Sequence, residues 1–326
     1  MDRRIILKIA ALTLAAPGRA IAQGPRRYRA GCLYLADEAF IRPFQEAFLA
    51  GMRERGYVVG RNLDVDLRSA RGDERRLPGL ADELIALKPD VLLGIEAIAA
   101  LFRSKTTTIP IVLASSADPV AAGLVQSLAR PGTNVTGMAN MYDVLIGKHI
   151  ELLTEILPKA TRFALINDPL IPGTARFEEA AHAAARAKGL TLSIARVRDL
   201  ASVREAFAAL EKDRPQGIVV VPSGRMNQLR HEVIDEVRRL RVPAISALPP
   251  AAWTEIGGLM SYSADLLDSF RRAASHVDRI LKGARPGDLP VEQPTKFEFV
   301  VNLKAAREIG LTIPQSVLLR ADRIIE

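Results

Sequence analysis

Short apolar, β-branched runs alternate with amphipathic stretches along nearly all of this 326-residue chain, and that alternation restricts the fold more than any other feature. The clearest unit lies between residues 109 and 137. Ile111-Val112-Leu113-Ala114 has the length and composition of a strand buried on both faces. The polar loop Ser115-Ser116-Ala117-Asp118 follows, with Pro119 opening a helix capped by Asp118. That helix is expected to bury Val120, Leu124, Val125 and Leu128 and to stop at Arg130-Pro131-Gly132. Thr133-Asn134-Val135-Thr136-Gly137 then reads as an extended crossover into a second domain. One stretch supplies both a hinge and a loop at the carboxyl end of a parallel strand, where open α/β sheets bind ligands.

The same rhythm fills both halves. Strands are expected at 30–35, 63–67 and 90–94, separated by a helix with Ile41, Phe44, Phe48 and Met52 on one face and another burying Leu77, Leu80, Ala81, Leu84 and Ile85. After Gly137 the pattern restarts with a helix over 143–157 and strands at 162–167, 190–197, 217–221 and 243–247. Residues 258–262 read as a second crossover. A helix carrying Leu266, Phe270, Ala273, Val277 and Ile280 follows, then a strand at 297–301 and a last short helix. Two successive blocks imply two doubly wound, parallel-sheet α/β lobes joined by a multi-segment hinge. The expected division is 27–137 plus 263–290 for lobe 1 and 138–262 plus 291–326 for lobe 2.

Composition narrows the function. With 48% hydrophobic residues the chain can bury one large core or two moderate ones. Of the formal charge of +8, residues 1–22 hold four basic residues against one acidic, and the remaining Lys and Arg are scattered without interleaved aromatics. A mildly basic solvated surface explains this better than a nucleic-acid footprint. Arg3-Arg4, an apolar run to Ala16 and the small-residue site Ala20-Ile21-Ala22 read as an export signal cut after Ala22. The route is left open between twin-arginine and ordinary secretion. The run is too short, and too interrupted by Lys8, to span a membrane. The mature chain is therefore expected in the periplasm.

Catalytic signatures are missing. No G-x-G-x-x-G, no G-x-x-x-x-G-K-[ST] and no G-x-S-x-G elbow occurs. His149, His182, His231 and His276 all fall in expected helices, and His231-Glu232 lacks the second histidine of a zinc motif. The single Cys32 excludes an internal disulfide and reads as a buried strand residue. Neither an enzyme nor a metal or cofactor site is expected, and no helix-turn-helix module precedes the core.

Several stretches together resemble the substrate-binding proteins of ABC transporters, in the family related to tryptophan-binding receptors. They are Gly56-Tyr57-Val58-Val59-Gly60-Arg61-Asn62, Asp118-Pro119-Val120, Arg130-Pro131-Gly132-Thr133-Asn134-Val135-Thr136-Gly137, Gly257-Gly258-Leu259-Met260-Ser261-Tyr262, Ile280-Leu281-Lys282-Gly283-Ala284-Arg285-Pro286 and the closing run from Gln293 to Lys304. The resemblance implies a type I periplasmic-binding-protein fold, a small amino-acid-like ligand between the lobes, and a permease with its ATPase as partner. A receptor for a sensor partner is the alternative it leaves open. It also implies a monomer without catalysis. It does not fix the ligand; Glu96 stands where relatives often carry a small hydroxyl or glycine residue.

Loops after the expected strands supply the candidate ligand contacts: Asp37 and Glu38, Glu96, Ser115, Ser116 and Asp118, Asn167 and Asp168, and Ser223. Each carboxylate has a rival role as a helix cap or solvated rim. Two or more in the cleft would call for a cationic or multiply hydrogen-bonding ligand. Ser115 and Ser116, placed before a helix start, would suit a ligand anion. Tyr142, Trp253 and Tyr262 are candidate apolar walls.

Overall fold

The computed structural model describes residues 26–140 and 142–326. The export signal expected over 1–22, with its cleavage after Ala22, lies outside the described residues. The first half runs β1 (Tyr28–Tyr34), α1 (Glu38–Glu54), β2 (Leu63–Ser69), α2 (Leu77–Ala86), β3 (Val91–Ile95), α3 (Glu96–Lys105), β4 (Ile111–Ser115) and β5 (Val135–Gly137). Its strands pair in the order β2-β1-β3-β4-β5, all parallel.

The second half runs α4 (Tyr142–Ile156), β6 (Arg162–Asn167), α5 (Thr174–Ala187), β7 (Thr191–Arg196), α6 (Leu200–Asp213), β8 (Gly217–Val220), α7 (Gly224–Gln228), α8 (Arg230–Leu240), β9 (Ala244–Ser246) and β10 (Met260–Ala264). Then come α9 (Leu266–Leu281), β11 (Phe297–Asn302), α10 (Leu303–Glu308), α11 (Gln315–Leu318) and β12 (Arg323–Ile325). The second sheet has the order β12-β11-β10-β9-β8-β6-β7. Strands such as Ile218-Val219-Val220 are buried on both faces, which is why they read as unbroken apolar runs.

Helix α9 belongs with the first sheet although it follows the second in sequence. Its Phe270, Ala273, Ala274 and Val277 share a core with Phe48 and Met52 of α1. The chain therefore passes between two α/β lobes three times: after Gly137, after Ala264 and on the way to Phe297. These passages are laced together. The Ala139 amide donates to the Glu292 carbonyl at 2.9 Å, Glu292 donates to Gly137 at 2.8 Å, and Asp265 donates to Lys296 at 3.0 Å.

Three expectations are corrected. The helix expected after Pro119 is a single turn. Ala122 donates to the Asp118 carbonyl, but Gly123 takes φ +66° and both Leu124 and Val125 then donate back to Pro119. Leu124 and Val125 are buried without a helix, and Val120 is 40% exposed. The second sheet is not wholly parallel: β11 runs antiparallel to β10, with Ala264 opposite Phe297, because the chain re-enters this lobe at the hinge end where β10 left it. And β10, expected as a crossover ending at Tyr262, is a strand of that sheet to Ala264.

Candidate functional site

Because both sheets are mainly parallel, each presents its strand carboxyl ends, and hence its polar loops, along one edge. In the first lobe, Glu96 starts α3 directly after β3 and reaches the loop after β4. Its carboxylate accepts from the Ser116 hydroxyl and, at 3.0 Å, from the Asp118 amide. Burial pushes the Glu96 carboxyl above its ordinary range, and these hydrogen bonds only partly offset that. Ser115 ends β4, and the Asn140 amide donates to its hydroxyl at 2.7 Å and to the Tyr142 hydroxyl at 3.1 Å. Burial, before any neighbouring charge, raises the Tyr142 phenol. Asn140 is 1% exposed, and among the described residues no group donates to its Oδ1.

In the second lobe, Asn167 ends β6 and is fully buried. It donates from Nδ2 to Glu178 at 2.9 Å, and Glu178 is gripped by both ends of the Arg196 guanidinium at 2.9 and 2.7 Å. Burial pushes Glu178 up, but Arg196 and Asn167 outweigh it and hold the carboxyl below its ordinary range. Asp168 Oδ1 accepts from Leu170 at 3.0 Å, while Oδ2 accepts from Ser223 at 3.2 Å and Arg225 at 3.3 Å. Ser223 also caps α7 through the Met226 amide.

The two edges touch. Asp118 Oδ1 accepts from the Val120 and Ala121 amides, and Oδ2 accepts from Arg176 of α5 at 2.8 Å. Ala117 packs on the second-lobe core, as does Tyr142. Phe40 of α1 packs against the second lobe's other core cluster, under the Arg230 guanidinium at 5.9 Å from the ring centroid. Gly173 has φ +82°, and a Cβ there would come within 3.3 Å of Ala121, so this glycine lets the lobes approach.

Of the sequence candidates, Glu96, Ser115, Ser116, Asp118 and Tyr142 form one cluster, and Asn167, Asp168 and Ser223 lie at the opposing edge. The notion of an anion before a helix after Ser116 loses its basis: no helix starts there, and the Ser116 hydroxyl is already donated to Glu96. Asp37 is an exposed cap of α1, bonded to the Phe40 amide, and Glu38 is an exposed partner of Arg71. Trp253 is 0% exposed within the second-lobe core, which makes it packing rather than wall. Tyr262 stacks on Phe297, centroids 5.7 Å apart, in a separate pocket of about 230 Å³ with Lys148, Leu152 and Arg320. Sequence reading missed Asn140, Arg176 and Glu178. Asn140 follows a strand end by three residues, a usable signal; the other two look like ordinary solvated positions on an alanine-rich helix.

Two α/β lobes that meet through side chains at their strand ends and are joined by three laced chain passages have the architecture of a bilobal solute-binding protein. Comparison with known families agrees: the model of ABC transporter substrate binding proteins matches residues 41–325, and the chain belongs to that family. A tyrosine-binding protein of Clostridioides difficile (strain R20291) is 23% identical over 274 residues, covering 83% of this chain and 78% of its own length. A conserved domain protein of Vibrio cholerae O1 biovar El Tor has a solved structure with TM-score 0.83 and 28% identity over 92% of this chain and 100% of its own. The ABC domain of Streptococcus pneumoniae in complex with L-Trp matches with TM-score 0.83 and 25% identity over 92% of this chain and 100% of its own.

Proposed function

We propose that this protein is an exported receptor that captures a small amphipathic, amino-acid-like solute between its lobes and delivers it to an ABC permease with its ATPase. The observation that carries the reading is the meeting of polar groups from both lobes, sealed by Asp118 and Arg176. Relatives that bind tyrosine and L-Trp support an amino acid as the solute class. In this reading Glu96, Ser115, Tyr142, Asn140 and Asn167 contact the solute. Ser116, Asp118, Asp168 and Ser223 hold the loops in shape, and Asp37 and Glu38 form the rim. Lobe 1 comprises 27–137 plus 263–290 and lobe 2 138–262 plus 291–326. The signal over 1–22 is removed on export to the periplasm, and the receptor acts as a monomer.

The mechanism is hinge closure. A solute that touches both edges binds the closed form more tightly than the open one, and so shifts the population toward closure by that difference. Ligand-dependent melting with a panel of amino acids and sugars tests the class. A ligand at a hundred times its Kd adds about 2.7 kcal/mol of stability, roughly 4 °C for a chain of this size. An amino acid is expected to give that rise. A rise from a sugar alone would overturn the reading.

A further inference from the structure

Away from the loops where the lobes meet, a cavity of about 230 Å³ lies between α4, the β10–β11 pair and the turn after α11, with aromatic walls and two cations in one lining. Tyr262 stands directly opposite Phe299 in the antiparallel pair, and Phe297, two residues earlier on β11, shares that face. Phe297 stacks on Tyr262 with centroids 5.7 Å apart and planes 7° from parallel, and Phe299 meets Tyr262 edge-on at 6.1 Å. Phe297 is still 38% exposed while lining the cavity, so its ring has surface left for an occupant.

The cations come from two sides, Lys148 on α4 and Arg320 after α11. Lys148 donates to Glu151 at 2.7 Å and Arg320 to Glu155, but an ammonium has three donors and a guanidinium five, so both keep donors in reserve. Neither glutamate lines the cavity. Asp322, the one carboxylate among the described lining residues, spends Oδ2 on the Phe299 amide at 2.8 Å. Size sets the occupant: an apolar cavity of about 150 Å³ suffices for benzene, so this one admits a six-membered ring with a small charged substituent. Aromatic faces alone would also suit a cation, but Lys148 and Arg320 repel one and attract a carboxylate.

We propose that this cavity is a second ligand site, separate from the cleft, for a small aromatic carboxylate whose ring lies against Tyr262, Phe297 and Phe299 and whose carboxylate turns to Lys148 and Arg320. It does not rest on the amino-acid reading of the cleft, since no lining residue is among the solute contacts named above.

The test is fluorine NMR titration of the full mature protein with 4-fluorobenzoate, beside neutral 4-fluorobenzyl alcohol and cationic 4-fluorobenzylammonium. Wild type is expected to bind the benzoate about fivefold more tightly than the alcohol, the worth of a solvent-screened ion pair, and the ammonium most weakly. Phe297→Ala should weaken the benzoate and the alcohol alike, by about tenfold. Arg320→Gln, a surface change that leaves the core untouched, should bring the benzoate down to the alcohol while the alcohol itself stays unchanged. Equal binding of all three probes by wild type would overturn the carboxylate assignment. No binding by wild type, or benzoate affinity undiminished in both variants, would overturn the site. Amino-acid capture in the cleft stands or falls separately, by the melting panel.

Discussion

His149 sits on α4 with 1% exposure, and its Nε2 donates to the Tyr262 carbonyl at 2.7 Å. Burial pulls its pKa down from 6.5 to about 4, with the carbonyl contact opposing. The unfolded chain takes up the proton first, so the stabilising contribution is whole above pH 6.5 and drains away as the pH falls to about 4. The total is about 3 kcal/mol. His276 shifts in the same direction, so the comparison that isolates His149 is wild type against His149→Gln. Denaturant titrations across that range should show a shallower acid loss in the variant. Glu96 has the opposite sign: its raised carboxyl favours the fold below the ordinary value of 4.5, and that advantage is lost as the pH rises through the raised value. Glu96→Gln should therefore make the ligand-free protein more stable at neutral pH, yet weaken an ammonium-bearing solute by about tenfold. Melting and calorimetry on one preparation check both directions.

At the scale of elements, the contact between α1 and α9 depends on one small residue. A Cβ on Gly51 would collide with the Arg271 carbonyl oxygen and come within 2.8 Å of the Ala274 Cβ. Since the obstacle is backbone, α9 would have to shift, and Gly51→Ala should cost about 1–3 kcal/mol as overpacking, read as a lower denaturant midpoint. The strands were legible because burial on both faces leaves unbroken apolar runs such as Ile111-Val112-Leu113-Ala114, and the lobe-edge candidates Ser115 and Asn167 follow from where those runs stop. The turn after Asp118 was not. Val120, Leu124 and Leu128 have helical spacing, but Gly123 at positive φ ends the ladder after one turn, and spacing carries no information about that. Arg176 and Glu178 escaped for a related reason. Their partners are set by the fold, Asp118 across the lobes for Arg176 and Asn167 with Arg196 within one lobe for Glu178, and such long-range pairings have no local signature.

For the whole molecule the question is what holds the lobes together. The Asp118–Arg176 pair joins a carboxylate side chain only 7% exposed to a guanidinium that is 51% exposed, so solvent screens it and its worth is about 1 kcal/mol. Arg176→Ala should weaken solute binding about fivefold, chiefly through faster release in stopped-flow kinetics. A clamshell also predicts movement. Val120 and Leu170 are 40% and 64% exposed on the loops that face each other, one in each lobe, and both accept a spin label after substitution by cysteine. The native Cys32 is buried with its thiol pushed up to about 12, and stays unlabelled. Double electron–electron resonance between Val120→Cys and Leu170→Cys, with and without saturating L-tryptophan, reads closure directly. A broad distribution that shortens and narrows with the amino acid is the predicted result. An identical distribution in both samples, under conditions where calorimetry reports binding, would contradict it.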